Sequence, residues 1–318
     1  MADTGRSVKH AFVHHVTGMS RRRRAAGTVI IALLVVALIP PSRHAIERAL
    51  HIHQYLTGTA CNQGSGGAST TGATIGMAAS PDTDGYWLVR DDGGVFVYGD
   101  ATPSLGSANG RIQTKTVGMA ATPSGRGYWI VERRGMVWAF GDAGCYGGSY
   151  DTGATDIVGI ASSPDGRGYV LVEQNGGTWT YGDAVGYGCI PCQGFTVSDV
   201  IGIAETPGSG GGSGYWIAEA NGGVWPYGNA CGCGANSGLA YPITAIITPP
   251  GSGQGYFLIG KDGGVFVHGT AQGYLGSEAG RIPGNNVTAA ALTIEGHGMW
   301  FALSSGTTAG LGDAAVYQ

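Results

Sequence analysis

Charged residues are scarce in this chain of 318 residues, where Asp, Glu, Lys and Arg together make up 12% of the sequence. So few charges exclude a solvated disordered chain. The 61 glycines lack a strict third-position spacing, which excludes a collagen-like fibre. What remains is turn-rich β structure. Aromatic residues, at 9%, are plentiful enough to build cores between short strands.

A basic surface is missing from most of the chain. Residues 1–58 carry a net charge of +6, whereas the remainder carries −10. Nucleic-acid binding requires a basic face. The acidic body therefore argues against a nucleic-acid partner, and the basic N-terminus needs another explanation.

That explanation is an apolar run behind four arginines. Arg21 to Arg24 stand directly before an uncharged segment of 17 residues, 25–41, which is near the short limit for a membrane span. Arginines beside a span stay in the cytoplasm. The sequence predicts a basic cytoplasmic tail over 1–24, a transmembrane signal anchor over 25–41 and an extracytoplasmic body. The alternatives are a cleaved signal peptide, which would make the protein secreted, and a buried core helix.

The rest of the sequence is repetitive. An aromatic pair recurs six times at spacings of 41 to 46 residues, from Tyr86-Trp87 to Met299-Trp300. Around it each unit has an apolar strand, a Pro/Gly turn, the aromatic strand, a second turn, a third strand and a short fourth strand. A period of this length with several strands per unit is typical of a propeller blade.

The sequence therefore predicts an all-β fold, a six-bladed β-propeller of four-stranded blades over 75–318, preceded by one N-terminal transmembrane helix. The predicted repeats are 75–107, 117–149, 158–190, 201–235, 243–277 and 287–318. Residues 42–74 form a stalk or linker. Within it, the segment near Tyr55 to Cys61 is a candidate outer strand that closes the ring at the last blade.

The turn between the second and third strands carries Asp-Gly or Asn-Gly in four repeats. These dipeptides tolerate positive φ at both positions, so they predict two-residue type I′ hairpins. The four dipeptides are Asp92-Gly93, Asn175-Gly176, Asn221-Gly222 and Asp262-Gly263. The last repeat has lost this dipeptide in Ser304 to Thr308.

Three short motifs resemble a known group of repeats. They are Gly85-Tyr86-Trp87-Leu88-Val89, Asp92-Gly93-Gly94-Val95-Phe96 and Tyr98-Gly99-Asp100-Ala101. They are similar to the tandem repeats of exported bacterial proteins, especially actinobacterial ones, which often accompany cell-wall hydrolase or peptidase domains. The resemblance covers about residues 75–318. It implies a propeller-like fold, an extracytoplasmic location and a binding or scaffold role, and it brings no catalytic residues.

Two recurring residue types invite functional interpretations. Aspartates that follow glycine at strand ends are predicted to accept hydrogen bonds in their turns. No Asp-x-Asp-x-Asp loop supports calcium binding. The tryptophans all fall at repeat positions, which predicts packing between blades. The alternative for Trp138 and Trp225 is stacking on sugar rings at a blade rim. The aspartates are Asp100, Asp142, Asp183 and Asp313.

Positions that break the repeat are better candidates for ligand binding, because packing does not explain them. They are Arg133 and Arg134 in place of the Asp-Gly turn, His268 at an aromatic position and the glycine-rich loop 208–214.

Six cysteines lie beyond the apolar segment, and their even number suits an oxidising compartment. We predict three disulfides among Cys61, Cys145, Cys189, Cys192, Cys231 and Cys233. Fifteen connectivities are possible. A redox Cys-x-x-Cys at 189–192 and a zinc site of four thiolates are the alternatives. Neither is favoured, because the glycine-rich context lacks a helix N-terminus and because export disfavours free thiolates.

The function predicted from these features is a non-catalytic binding or scaffold module for a cell-envelope glycan or protein partner, with no metal or cofactor. One alternative is a hydrolase or lyase that acts on glycan, which requires two converging carboxylates. Glu132, Glu173, Glu205 and Glu219 are available, but the sequence singles out no pair among them. The other alternative is a structural assembly subunit.

Overall fold

A computed structural model describes residues 72–81, 84–101, 105–150, 153–206, 214–249, 253–271 and 275–317, together with the backbone of 61–62. These residues belong to one compact unit, Gly58–Gln318. The predicted tail, anchor and most of the stalk lie outside the described residues. Within the described part of the chain, no helix has the length and apolar character that a membrane span needs.

The predicted all-β class is confirmed, because six antiparallel sheets of three consecutive strands follow one another along the described chain, and the second of them gains a short fourth strand, β1, in parallel. The first three sheets contain β2 (Thr74–Ala79), β3 (Gly85–Arg90) and β4 (Val95–Gly99); β5 (Thr116–Ala121), β6 (Gly127–Glu132) and β7 (Val137–Gly141); and β8 (Ile157–Ser162), β9 (Gly168–Glu173) and β10 (Thr178–Gly182). The last three contain β11 (Val200–Glu205), β12 (Gly214–Glu219) and β13 (Val224–Gly228); β14 (Ile243–Ile247), β15 (Gly255–Gly260) and β16 (Val265–Gly269); and β17 (Val287–Leu292), β18 (Gly298–Leu303) and β19 (Thr308–Gly312).

The predicted closing strand lies against a different sheet. The short strand β1 (Cys61–Asn62) pairs in parallel with Val137 and Trp138 of β7, in the second sheet rather than the sixth. The prediction that this residue pair completes the last blade is therefore wrong. The earlier residues of that predicted segment, 55–60, lie outside the described part of the chain.

The predicted fourth strand is also absent among the described residues. Gly106 and Gly147, in the middle of two of these segments, have φ of 123° and 112°. Such angles lie outside the β region and interrupt a ladder. Instead, the tyrosine hydroxyl of the next sheet donates to the glycine carbonyl, Tyr128 to Gly106 and Tyr169 to Gly147. These segments are held by the following sheet and add no strand to their own.

The hairpin turns differ from the type I′ prediction. The amide of Gly93 donates to the carbonyl of Arg90, and φ is positive at Gly93 (80°) but not at Asp92. This pattern is a three-residue loop, in which a type I turn is followed by a left-handed glycine. The Asp92 carboxylate accepts a hydrogen bond from the amide of Gly94 at 3.0 Å, so it stabilises the turn without positive φ.

The last repeat keeps this turn with different residues. The amide of Gly306 donates to the carbonyl of Leu303, Gly306 has a φ of 93°, and the Ser305 hydroxyl accepts from the amide of Thr307. The turn needs glycine at one position and a short oxygen-bearing side chain before it. The Asp-Gly dipeptide is one of several ways to supply both.

Hydrophobic cores lie between consecutive sheets. The aromatic residues of each second strand are buried, and the ring of Trp129 lies 5.5 Å from that of Tyr169 in the next sheet. The indole of Trp129 donates to the carbonyl of Gly144 at 2.7 Å. The prediction that the second-strand tryptophans pack between units is confirmed.

The sixth sheet packs against the first in the same way. The Tyr86 hydroxyl lies 3.0 Å from the hydroxyl of Thr308, and its ring lies 5.1 Å from Trp300. The Tyr317 hydroxyl donates to the carbonyl of Asp84 at 3.0 Å. The C-terminal segment thus contributes to a core that residues of both sheets share.

Candidate functional site

The first strands of all six sheets meet around one cavity of about 430 Å³. Small residues allow this close approach. A Cβ added to Gly159 in β8 would lie 3.2 Å from the Cα of Gly202 in β11. Each first strand has a register irregularity between its first and third residues, as between Thr74 and Gly76. Such bulges bend a strand and redirect its side chains.

One position of the first strand forms the rim of this cavity. It is the last residue of five strands and the residue directly after β14. All six residues line the cavity, and they are Ala79, Ala121, Ser162, Glu205, Thr248 and Leu292. Three consecutive sheets therefore carry oxygen-bearing side chains, and the other three carry apolar ones. We call this set the rim residues.

Among the described residues that line the cavity, Glu205 is the only ionisable one. Its neighbours there are mainly Ala, Ile and Leu side chains, and burial among them raises the pKa of Glu205 to about 8. Desolvation has this effect because it disfavours the charged form of a carboxyl group. Among the described residues, none donates a hydrogen bond to this carboxylate. Glu205 differs in this respect from the other buried glutamates.

The carboxylates of Glu132 and Glu219 accept hydrogen bonds from groups inside the protein. The Glu132 carboxylate is fully buried and accepts hydrogen bonds from the indole of Trp138 at 2.8 Å and from the amide of Thr114 at 2.6 Å. Glu219 accepts from the indole of Trp225. These bonds satisfy the carboxylates and fix the indoles.

In the first sheet, the positions equivalent to this glutamate and tryptophan hold a different pair of residues. Arg90 and Phe96 occupy the positions that Glu132 and Trp138 hold in the second sheet. The Arg90 guanidinium lies 4.4 Å from the centroid of the Phe96 ring, a cation–π contact. The exchange of both partners together indicates that this pair of positions serves packing.

Of the tryptophans proposed for sugar stacking, Trp138 is buried and Trp225 is partly exposed. The Trp225 ring lies 5.0 Å from Phe195, whose exposed fraction is 53%. An aromatic pair therefore lies at the surface of the fourth sheet. Sugar binding by Trp138 or Trp225 stays a prediction.

Arg133 and Arg134 occupy a turn of ordinary geometry. Gly135 follows them with a φ of 81°, and its amide donates to the carbonyl of Glu132. The Arg133 guanidinium forms a salt bridge with Asp156 at 2.9 Å, and that of Arg134 lies 5.0 Å from the centroid of the Tyr150 ring. Both side chains are exposed, and the structure does not bring them to the cavity. Ligand binding by either stays a prediction.

His268 replaces an aromatic residue and packs like one. Its ring stacks on Tyr256 at 5.0 Å, and its Nε2 lies 2.6 Å from the amide oxygen of Asn236. Burial lowers the pKa of His268, so the neutral ring is favoured. This residue does not line the cavity, and its role as a ligand contact stays a prediction.

Two of the strand-end aspartates, Asp142 and Asp313, accept hydrogen bonds from hydroxyl groups of another turn in the same sheet, and the sequence analysis did not identify these donors. Asp142 accepts from the hydroxyls of Thr122 at 2.9 Å and Ser124 at 2.6 Å, both in the first turn of the same sheet. Asp313 accepts from Thr293 at 3.0 Å.

In the third sheet the Ser163 hydroxyl lies within hydrogen-bond distance of Asp165 and Asp183. Desolvation and the nearby Asp165 raise the pKa of Asp183, whereas the amide of Arg167 lowers that of Asp165. The sequence did not identify this carboxylate pair, which lies on an exposed turn.

The cysteines form close disulfides. Cys189 pairs with Cys192 and Cys231 pairs with Cys233, and Cys145 is also disulfide-bonded. The described residues include no free cysteine and no cluster of metal-ligating side chains. The prediction of disulfides is confirmed for these two pairs, and no thiolates are left at these positions for zinc. The side chain of Cys61 lies outside the described part.

Comparison with protein-family models and with curated proteins finds no match for this chain. The geometry of the cavity and its rim residues therefore carries the functional argument. The sequence held a signal for Glu205 that motif reasoning missed, because Glu205 is the only acidic residue among six repeat-equivalent positions.

Proposed function

We propose that residues 75–318 form a closed six-bladed β-propeller that acts outside the cytoplasm as a non-catalytic binding or scaffold module. Contacts between each sheet and the next, and between the sixth sheet and the first, support a closed ring. Two disulfides in short loops support an oxidising compartment. Residues 25–41 anchor the protein in the membrane in this proposal, and cleavage there would give a secreted form.

The central cavity is the observation that carries the binding role. Its volume of about 430 Å³ lies in the range of small-molecule sites, and apolar walls with a few polar groups are usual in such sites. Glu132, Glu219 and Asp142 are engaged in internal hydrogen bonds. Among the rim residues, Ser162 donates to the carbonyl of Ser163, which leaves its hydroxyl oxygen as an acceptor, and no described residue donates to Glu205.

The proposed partner class is a component of the cell envelope, a glycan or a protein. The test is a pull-down of isolated envelope fractions and a glycan array, both with the full-length chain in a non-ionic detergent. Retention of one fraction that a heat-unfolded sample does not retain is the expected result. Absence of binding to every fraction would contradict the proposal.

The same experiment separates the alternatives. Release of shortened glycan during incubation would favour the hydrolase or lyase, and substitution of Asp183 by Asn would then test the exposed carboxylate pair. A large homo-oligomer in size measurements, without ligand binding, would favour a structural subunit.

A reporter enzyme fused to the C-terminus, active only outside the cytoplasm, tests the predicted topology.

A further inference from the structure

We propose that the central cavity binds a small organic cation, a protonated primary amine on an apolar body. This inference rests on the proposed binding function and names the ligand class for the same cavity.

The asymmetry of the rim divides the cavity mouth into two arcs. Ser162, Glu205 and Thr248 belong to the third, fourth and fifth sheets, which are neighbours. The sixth, first and second sheets place Leu292, Ala79 and Ala121 at the same position. A ligand that fits this rim has one polar end and one apolar end.

The polar arc matches an ammonium group. A primary ammonium has three N–H donors and no acceptor. The arc offers a carboxylate and two hydroxyl groups, all of which accept hydrogen bonds. A guanidinium has five donors in a planar fork, which exceeds the four oxygen atoms that these three side chains offer. A quaternary ammonium has no N–H donor for the hydroxyl oxygens of Ser162, whose own proton goes to the carbonyl of Ser163, and of Thr248.

The charge of the lining also favours a single positive charge. Of the described residues from all six sheets that surround the cavity, Glu205 alone is ionisable. A carboxylate among apolar side chains gains most from an opposite charge, because the surroundings screen little. An anion would face an unfavourable carboxylate, and a dication would bring one charge without a partner.

The apolar arc accounts for the rest of the ligand. Ile160, Ile203 and Ile246 line the wall of the cavity in the sheets of the polar arc, and Ala79, Ala121 and Leu292 line the opposite side. Ser80 and Thr293 also line that side, but both are buried, and the Thr293 hydroxyl is bonded to the Gly298 carbonyl and to Asp313. Burial of apolar surface contributes roughly 25 cal/mol per Å². An aromatic or branched aliphatic body attached to the amine would gain this contribution.

Binding would be linked to proton release. Because burial raises the pKa of Glu205 to about 8, the empty cavity holds a carboxylic acid at neutral pH. An ammonium ligand binds the carboxylate, so the proton of Glu205 leaves to the buffer. The affinity should rise about tenfold between pH 6.5 and pH 8.0, over which the ionised fraction of such a group increases.

Isothermal titration calorimetry of the full-length chain in a non-ionic detergent tests the proposal. The probe is benzylammonium, and benzyl alcohol is the neutral probe of the same shape. We expect Glu205→Gln to weaken benzylammonium binding about 10- to 100-fold, the range for a hydrogen bond to a charged group. Glu173→Gln is the matched control, since Glu173 does not line the cavity. A Ser162→Ala, Thr248→Val double variant should weaken binding several-fold.

Two outcomes overturn the proposal. One is the absence of benzylammonium binding at pH 8.0 by a folded wild-type chain. The other is equal binding of benzyl alcohol, which would show that a protonated Glu205 serves a neutral ligand. The envelope pull-down with the Glu205→Gln variant separates the two proposals. Retention of an envelope fraction by this variant would leave the general binding function standing when the ammonium site fails.

Discussion

At the scale of single residues, the chain distinguishes glutamates that look alike in the sequence. Glu132 and Glu219 are each followed six positions later by a tryptophan, and each carboxylate accepts a hydrogen bond from the indole N–H of that tryptophan. Glu205 has no such partner and lies in an apolar cavity. The spacing of six residues does not by itself identify such a pair, because Glu173 and Trp179 have it and no hydrogen bond joins their side chains among the described residues. The shared cavity depends on six distant strands, and local patterns do not reveal it.

The raised pKa of Glu205 predicts how stability depends on pH. The folded chain binds the proton more tightly than the unfolded chain, whose Glu pKa is near its ordinary value of about 4.3. The stabilisation is therefore complete at low pH and is lost as pH rises toward about 8. Glu205→Gln should raise the melting temperature at pH 8.5, by an amount equivalent to about 2 kcal/mol or more, and leave it unchanged at pH 4.5.

Thermal unfolding of wild type, Glu205→Gln and Glu173→Gln between pH 4.5 and pH 9 checks this prediction. Glu173 is partly exposed and lies outside the cavity, so its variant should follow the wild type. A Glu205→Gln curve parallel to the wild-type curve would show that Glu205 ionises normally.

Glu132 offers a second prediction at this scale. Glutamine at position 132 would replace one carboxylate oxygen by an amide N–H₂, which would face either the indole donor of Trp138 or the three donors of Gln113 and Thr114. Leaving buried donors unsatisfied costs about 1–3 kcal/mol each, so Glu132→Gln should lower the free energy of unfolding by about 2–4 kcal/mol. Urea denaturation measures the loss. Glu173→Gln is again the control, because Glu173 has the equivalent position in the third sheet but is only partly buried. Equal losses in both variants would contradict the account.

At the scale of elements, three strands of each repeat and their order could be predicted from the sequence. The apolar first strand, the aromatic second strand and the turn glycine recur at fixed spacing, and the structure has them at these places. The turn type could not be predicted, because Asp-Gly and Asn-Gly occur in both two-residue and three-residue loops. The prediction of a fourth strand was wrong for a different reason. Its conformation depends on a hydroxyl from the next sheet, and the sequence of one repeat does not contain that donor.

The turn glycines differ in what surrounds them, which predicts a graded effect of alanine. A Cβ at Gly93 would lie 2.9 Å from the backbone of Ala108, whereas a Cβ at Gly110 has no atom within 4 Å. Both residues have positive φ. Gly110→Ala should cost about 1 kcal/mol from the backbone alone, and Gly93→Ala about 2–3 kcal/mol.

Chemical denaturation of the two variants measures this difference, provided that the free energy of unfolding depends on denaturant concentration with the same slope in both. Equal destabilisation would mean that the loop around Ala108 yields to the new methyl group. A larger loss at Gly110 would contradict the turn geometry described above.

At the scale of the whole molecule, the contact between the sixth sheet and the first holds the two ends of the repeat array together. Tyr317 supplies part of this contact, through its ring against Tyr86 and its hydroxyl on the Asp84 carbonyl. Tyr317→Ala should lower stability by about 1–3 kcal/mol, and Tyr317→Phe by about 1 kcal/mol. Hydrogen exchange should show the loss of protection in β2, β3 and β18 before the middle sheets. Uniform loss across all sheets would contradict a local contribution.

A tyrosine of the second strand binds the segment that follows the third strand of the preceding repeat, and this contact has a consequence for sequence divergence between repeats. Its hydroxyl binds a main-chain carbonyl, at Gly188 for Tyr215 and at Gly234 for Tyr256. A main-chain carbonyl is present whatever the side chains of the accepting segment are. Tyr128, Tyr169, Tyr215 and Tyr256 therefore tolerate side-chain changes in the segments that they bind, among which are those that carry the cysteine pairs. The other two contacts differ, because Met299 has no hydroxyl and Tyr86 contacts the side chain of Thr308. Recognition of the backbone therefore makes four of the six contacts between consecutive repeats independent of the side chains of the preceding repeat.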